Sequence, residues 1–145
     1  MKKRRPADIN DIYSVRADTM DYFFPDREDE IDFWADLASE YGNDILHIMC
    51  STGELTAKLA KRGFNLTGLD VTEAMVYEAE DKMNSEKIET GEIIQDDARY
   101  FNLGKRFDFA FIASSDFHHF TERKEIDNFL AKTYAHLRKG GGLAL

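Results

Sequence analysis

The groups with chemical potential in this chain stand where short apolar runs end. The stretch "HIMCSTGELT" (47–56) carries Cys50, Ser51 and Gly53, Asp70 closes "FNLTGLD", and Asp97 lies in "IIQDDAR". Gly53 permits close approach of backbone to a ligand, and the helix that starts after it offers unpaired N–H groups to a polar or anionic group. Asp70, 17 residues beyond Gly53, can accept two hydrogen bonds from a ribose diol and would repel a 2′-phosphate. Asp97 puts a carboxylate near an amino donor such as adenine N6, with the small apolar Ala98 beside the ring face. Three consecutive strand ends thus offer groups suited to one adenosine.

The elements that must position these groups follow from hydrophobic periodicity. Ile31, Trp34, Leu37, Ala38 and Tyr41 recur at helical spacing behind Glu28, Asp29 and Glu30, with Gly42 just past the end. Residues Ile45 to Cys50 form an apolar strand, and Glu54 to Arg62 a helix with Leu55, Leu59 and Ala60 on one face and Gly63 at its cap. The pattern repeats as a strand from Phe64 to Leu69, a helix capped by Thr72 that carries Met75, Ala79 and Met83, and a strand from Glu92 to Gln95. A strand from Phe109 to Ala113 precedes a helix from about Thr121 to Arg138, with Ile126, Phe129, Leu130, Tyr134 and Leu137 as its apolar stripe and Gly140 as its cap. Strands alternating with helices predict an α/β, doubly wound, mainly parallel sheet joined by right-handed crossovers. Its ligand crevice lies outside the carboxyl ends of the strands, where strand order reverses.

Composition narrows the function. At 145 residues the chain suits one compact core, and a single domain is expected over 1–145. A formal net charge of -9, from 19 basic against 28 acidic residues, would repel a nucleic-acid backbone. The only locally basic run, Met1 to Arg5, has no apolar stretch behind it and does not make a secretory signal. No run approaches the roughly 18 apolar residues of a membrane span. The lone Cys50 has no internal disulfide partner, so a reducing cytoplasm is the expected compartment.

From about Tyr22 to Leu145 the sequence resembles the class I S-adenosylmethionine-dependent methyltransferases. The resemblance rests on "DILHIMCSTGELTAKLAKRGFNLTGLDVTEAM", "IIQDDARYF", "FDFAFIASSDFHHF" and "FLAKTYAHLRKGGGLAL". It implies a Rossmann-like sheet, S-adenosylmethionine as cofactor and methyl transfer to a small-molecule acceptor. It also implies that Asp70 holds the ribose hydroxyls, that Val71 and Met75 pack near the adenine, and that Asp97 binds its N6 with Ala98 alongside. Main chain at Ala113 and Ser114, and the loop around Cys50, Ser51 and Gly53, would face the methionine portion. Residues 1–42 would form an N-terminal cap region, and the aromatic group Tyr22, Phe23, Phe24 before Pro25 resembles the family's cover over the acceptor pocket, with plain packing as the other reading.

Two departures from the family pattern stand out. An acidic residue is usual where this chain has His47, and glycines where it has Met49 and Ser51, so weaker cofactor binding is expected than from a glycine-complete loop. The last two strands of the usual sheet have no counterpart before Leu145. Either the residues belong to a longer chain, or a partner subunit, such as a second copy, pairs with the fifth-strand edge.

Methyl transfer needs an acceptor lone pair in line with the reacting bond, and a base only if the acceptor carries a proton. The loop "SSDFHHF" offers Asp116, His118 and His119, with His119 or His118 as base or orienting group and Phe117 and Phe120 as core. Adjacent histidines project apart and no metal-ligand spacing appears, so no metal site is expected. A nicotinamide-dependent oxidoreductase would need a glycine spacing that this loop lacks. The remaining alternative is a non-catalytic binding or assembly module on the same fold.

Overall fold

The computed structural model describes residues 16–23 and 28–145. A 3-10 turn, Ala17–Thr19, leads into a short helix, α1 (Met20–Phe23), and then α2 (Glu28–Ser39). The body of the chain is β1 (Asp44–Ile48), α3 (Glu54–Lys61), β2 (Asn65–Asp70), α4 (Glu73–Ser85), β3 (Gly91–Gln95), β4 (Phe107–Phe111), a 3-10 turn (Asp116–His119), α5 (Arg123–His136) and β5 (Leu137–Ala144).

The five strands form one parallel sheet in the order β3-β2-β1-β4-β5. The chain winds outward from β1 to β3, then crosses to β4 on the other side of β1. Strand order therefore reverses between β1 and β4, the expected place for a ligand. The two cores follow from side-chain alternation along buried strands. Ile45, Leu66, Phe109 and Phe111 point to one face, under Trp34 and Ala38 of α2 and Ala57 and Ala60 of α3. Leu46, Ile48, Ala110 and Ile112 point to the other, under Phe129 of α5 and beside Phe101 and Phe120.

The predicted end of the last helix needs correction. α5 stops at His136, and Leu137 is already extended (φ -91, ψ 142), so Arg138, Lys139 and Gly140 belong to β5 rather than to a helix cap. Arg138 reaches Asp44 and Asp108 at 2.7 Å each, which holds that segment to the amino ends of β1 and β4. Burial alone would raise Asp108, but Arg138 and the Asn43 and Asp44 amides hold its carboxyl below the usual range. The small residues of "KGGGLA" answer to packing: a Cβ on Gly142 would come within 2.5 Å of the Tyr41 ring.

The predicted stripe of α5 is also shifted. Phe129, Thr133 and His136 form the buried face, whereas Leu130 and Tyr134 are exposed, Tyr134 at 82%. His136 is fixed there as an acceptor for the Leu103 N–H through Nε2 (3.0 Å), while its Nδ1 donates to the Lys132 carbonyl (2.7 Å). Among the described residues no helix is long and apolar enough to cross a membrane.

Candidate functional site

A cavity of about 670 Å³ opens at the carboxyl ends of β1, β2 and β4, with walls from α1, α2 and the turn after β4. Its floor is the loop after β1. Met49 (φ 58), Ser51 (φ 53) and Gly53 (φ 72) all take left-handed backbone, a conformation that non-glycine residues resist. Three hydrogen bonds hold the turn: Cys50 N–H to the Leu69 carbonyl (2.9 Å), Gly53 N–H to the Cys50 carbonyl (3.0 Å), and Ser51 N–H to Asp70 Oδ2 (2.9 Å). The Ser51 hydroxyl also meets Met75 Sδ at 3.4 Å.

Asp70 is positioned from both sides. Its second oxygen accepts the Thr72 N–H at 2.9 Å, so the start of α4 and the loop after β1 share one carboxylate. Burial pushes its pKa up, against the lowering pull of these backbone donors. The Thr72 side chain and the Val71 amide act on the same carboxylate, so a diol would share its oxygens with donors already in place. Val71, Met75 and Ala98 lie along the same wall; Met75 and Ala98 are buried, and the Gln95 side chain ties the Val71 carbonyl in place (3.2 Å).

Asp97 lines the cavity but is already engaged. Arg99 grips it through Nε to Oδ1 (2.9 Å) and Nη2 to Oδ2 (2.6 Å), and reaches on to Glu125 of α5 at 2.5 Å. The guanidinium holds the Asp97 carboxyl below the usual range. An adenine amino group would meet an acid whose two oxygens already accept.

The remaining predicted residues divide. Cys50, Ser51, Ala113, Ser114 and His119 line the cavity; His118 and Gly53 do not. His118 is exposed and donates through Nδ1 to the Ser115 carbonyl (3.0 Å). Gly53 abuts α4 instead, where a Cβ would sit 2.7 Å from that of Ala79. Burial, and the charge of Asp70, push the Cys50 thiol well up, which keeps it protonated. His119 Nε2 stands 3.9 Å from Asp116 Oδ1. Burial raises the Asp116 carboxyl, opposed by His119 and reinforced by Asp70. Phe120 is buried and packs edge-on with Phe117 at 5.7 Å, as core. Phe24, Pro25 and the side chain of Phe23 lie outside the described residues, while Tyr22 is exposed at 84%.

Three further residues line the wall: Asp21 and Arg99 were absent from the sequence-based site, and His47 entered it only as a departure from the family pattern. His47 is 3% exposed, stacks on Phe111 at 4.3 Å and shares a 2.8 Å hydrogen bond with the Thr56 hydroxyl. Burial lowers its pKa to about 3, so it is a neutral wall where a carboxylate is usual. Asp21 of α1 accepts the Thr52 hydroxyl (2.6 Å) and pairs with Lys82, which also holds Glu54 (2.7 Å). That clasp joins α1 to the floor loop and to α4, and no local pattern in the sequence announces it. Arg99, two residues from Asp97, had a signal: an arginine so close to a proposed acceptor competes for it. Among the described residues no group of three or more His, Cys, Asp or Glu is placed to hold a metal ion.

Residues 45–141 match the family model described as a methyltransferase domain, which is more than half of the chain. The chain belongs to this methyltransferase family. The methyltransferase chain is 31% identical over 97 residues to a protein of Geobacillus sp. (strain WCH70) that is named as a methyltransferase, covering 67% of this chain and 39% of that one. Its fold matches an S-adenosylmethionine-dependent methyltransferase from Clostridium acetobutylicum (TM-score 0.74, 21% identity, 91% of this chain and 54% of that one). It likewise matches a glycopeptide N-methyltransferase complexed with S-adenosyl-L-methionine (TM-score 0.74, 21% identity, 83% of this chain and 55% of that one). The chain thus spans well under half of the Geobacillus protein and about half of each solved structure.

Proposed function

We propose that this chain binds S-adenosylmethionine in the cavity above β1, β2 and β4 and transfers its methyl group to a small-molecule acceptor. The observation that carries the reading is Asp70, held by the N–H groups of Ser51 and Thr72 at the cavity wall. A carboxylate so fixed meets a ribose diol without reorganising. Val71, Met75 and Ala98 supply apolar surface for the adenine, with Asp97 at its amino edge. The backbone of Cys50 and Ser51, with Ala113 and Ser114 across the cleft, faces the amino-acid portion. Gly53 sets the loop's path from behind.

The cofactor supplies a methyl group on a positively charged sulfur. The chain's part is to orient the acceptor and exclude water, and the apolar lining from Ile31, Leu55, Leu69 and Phe120 does the second. His119 orients the acceptor or takes its proton, whereas His118 acts at most through its hold on Ser115. The lone buried Cys50 suits a reducing cytoplasm.

Titration calorimetry with S-adenosylmethionine and S-adenosylhomocysteine tests this. Micromolar binding that falls at least 100-fold in Asp70→Ala is expected. No heat from the folded chain would refute the reading and leave a non-catalytic module.

A further inference from the structure

With the cofactor along the ends of β1, β2 and β3 and against Ala113 and Ser114 at the end of β4, the acceptor is left the wall made by the 3-10 turn Asp116–His119 together with α1 and α2. This step rests on the proposed methyltransferase reading. That wall has apolar surface from Met20, Ile31 and Phe120, and one acid that comes from the sheet side, Asp116. Asp116 is half-buried and opens the 3-10 turn, with His119 3.9 Å away, too far for a hydrogen bond. The full cations of the cavity wall are otherwise engaged. Arg99 is held by Asp97 and Glu125, and Lys58 lies 3.3 Å from Glu54. Among the described residues no guanidinium or ammonium of this wall is therefore directed at an acidic acceptor, and the net charge of -9 draws cations and repels anions at long range.

We propose that the methyl acceptor is an amine, received as its ammonium ion by the Asp116 carboxylate with His119 beside it. An ammonium on a half-buried carboxylate makes a charge-assisted hydrogen bond, stronger than the bond that a neutral hydroxyl would make there. The bound ammonium gives one proton to Asp116 or His119, which frees the nitrogen lone pair. The nitrogen then forms a bond to the methyl carbon as the carbon–sulfur bond breaks with both electrons going to sulfur. The products are a methylated ammonium and a neutral thioether, so charge and atoms balance. An alcohol holds its proton several orders of magnitude more tightly than an ammonium does, and it gains less from this pair of groups.

Binding to the full chain loaded with S-adenosylhomocysteine tests the proposal without requiring turnover. The probes are benzylamine, cyclohexylamine and glucosamine, each beside its hydroxyl counterpart, benzyl alcohol, cyclohexanol and glucose. At least one amine is expected to bind tenfold or more tighter than its alcohol. Asp116→Asn should reduce that preference to within twofold and leave the affinity for S-adenosylhomocysteine within twofold of wild type. Asp116→Ser, checked with it for native circular dichroism, guards against a misfolded variant. Amines that bind no better than alcohols, or a preference that survives both substitutions, would overturn the assignment. Weaker S-adenosylmethionine binding in Asp116→Asn with an intact amine preference would instead make this acid a counter-ion for the sulfonium, and would also overturn it. Loss of S-adenosylhomocysteine binding by the wild-type chain is a separate result, which removes the methyltransferase reading itself.

Discussion

His47 makes the fold acid-sensitive in a window that can be computed in advance. Its imidazole is 3% exposed, sandwiched against Phe111 and bonded to Thr56, and burial lowers its pKa from 6.5 to about 3. Below pH 6.5 the unfolded chain takes up a proton that the folded chain refuses until about pH 3. The unfolded state binds more protons throughout that interval, so stability falls as pH falls. Each unit of pH costs about 1.4 kcal/mol, which amounts to about 2 kcal/mol at pH 5 relative to neutral conditions. For a domain of this size that lowers the melting temperature by about 4–8 °C. The assay is thermal or urea unfolding of wild type and His47→Gln between pH 7.5 and 4.5. Carboxylates that titrate in both proteins cancel in the difference, so the variant, less stable at pH 7.5, should close on wild type or overtake it by pH 5. Parallel stability curves would show that the imidazole is hydrated in the folded state and that the cavity wall is wetter than the structure indicates.

Three further outcomes follow from the loop and its neighbours. Met49→Gly relieves left-handed strain of about 1–2 kcal/mol and removes a half-buried apolar side chain worth a similar amount. Stability should thus change by less than about 1 kcal/mol while S-adenosylhomocysteine binds more tightly by calorimetry; an unchanged dissociation constant would mean that Met49 points away from the ligand. Gly53→Ala should cost about 2–4 kcal/mol in urea unfolding, because a Cβ there meets that of Ala79 at 2.7 Å and φ is 72; a loss below about 1 kcal/mol would show that α4 can shift aside. Arg99→Gln should destabilise by about 1 kcal/mol at pH 7, a figure kept small by solvent screening. That difference should shrink in acid, because Asp97, depressed by Arg99, gives stability that is lost as pH falls through its folded pKa.

Periodicity carries most of the fold. The apolar runs at Ile45, Leu66 and Phe109 became adjacent parallel strands, and Asp70 stands at the strand end where its sequence position put it. What the sequence hid was long-range. Nothing near Arg138 shows that Asp44 and Asp108, far away in the chain, pull it into a strand, so a cationic residue before glycine resembles a helix end. Leu130 and Tyr134 fit a helical stripe equally well as Thr133 and His136, and long-range partners mark the buried face: Phe101 packs against His136 at 4.6 Å and the Leu103 amide bonds to it. The clasp from Asp21 to Thr52 and Lys82 joins three segments whose local sequences have no relation to one another.

The same distinction between local preference and packing explains how a loop lacking two of its usual glycines keeps its shape. Met49 and Ser51 each bear the cost of left-handed backbone, about 1–2 kcal/mol apiece. Against this stand the bonds from the Cys50 amide to Leu69, from the Ser51 amide to Asp70, from the Gly53 amide to Cys50, and from the Thr52 hydroxyl to Asp21. At about 1 kcal/mol net each, and more where a carboxylate accepts, these bonds can offset the strain. Glycine at the first two positions is then a conformational preference that enough hydrogen bonds can override. Gly53 differs in kind, because hydrogen bonds cannot make room for a methyl group 2.7 Å from Ala79. The retained glycine is the one that the packing of α4 against the loop demands, whereas glycine at position 49 would act on binding by removing the bulk of a side chain rather than by setting the path of the main chain.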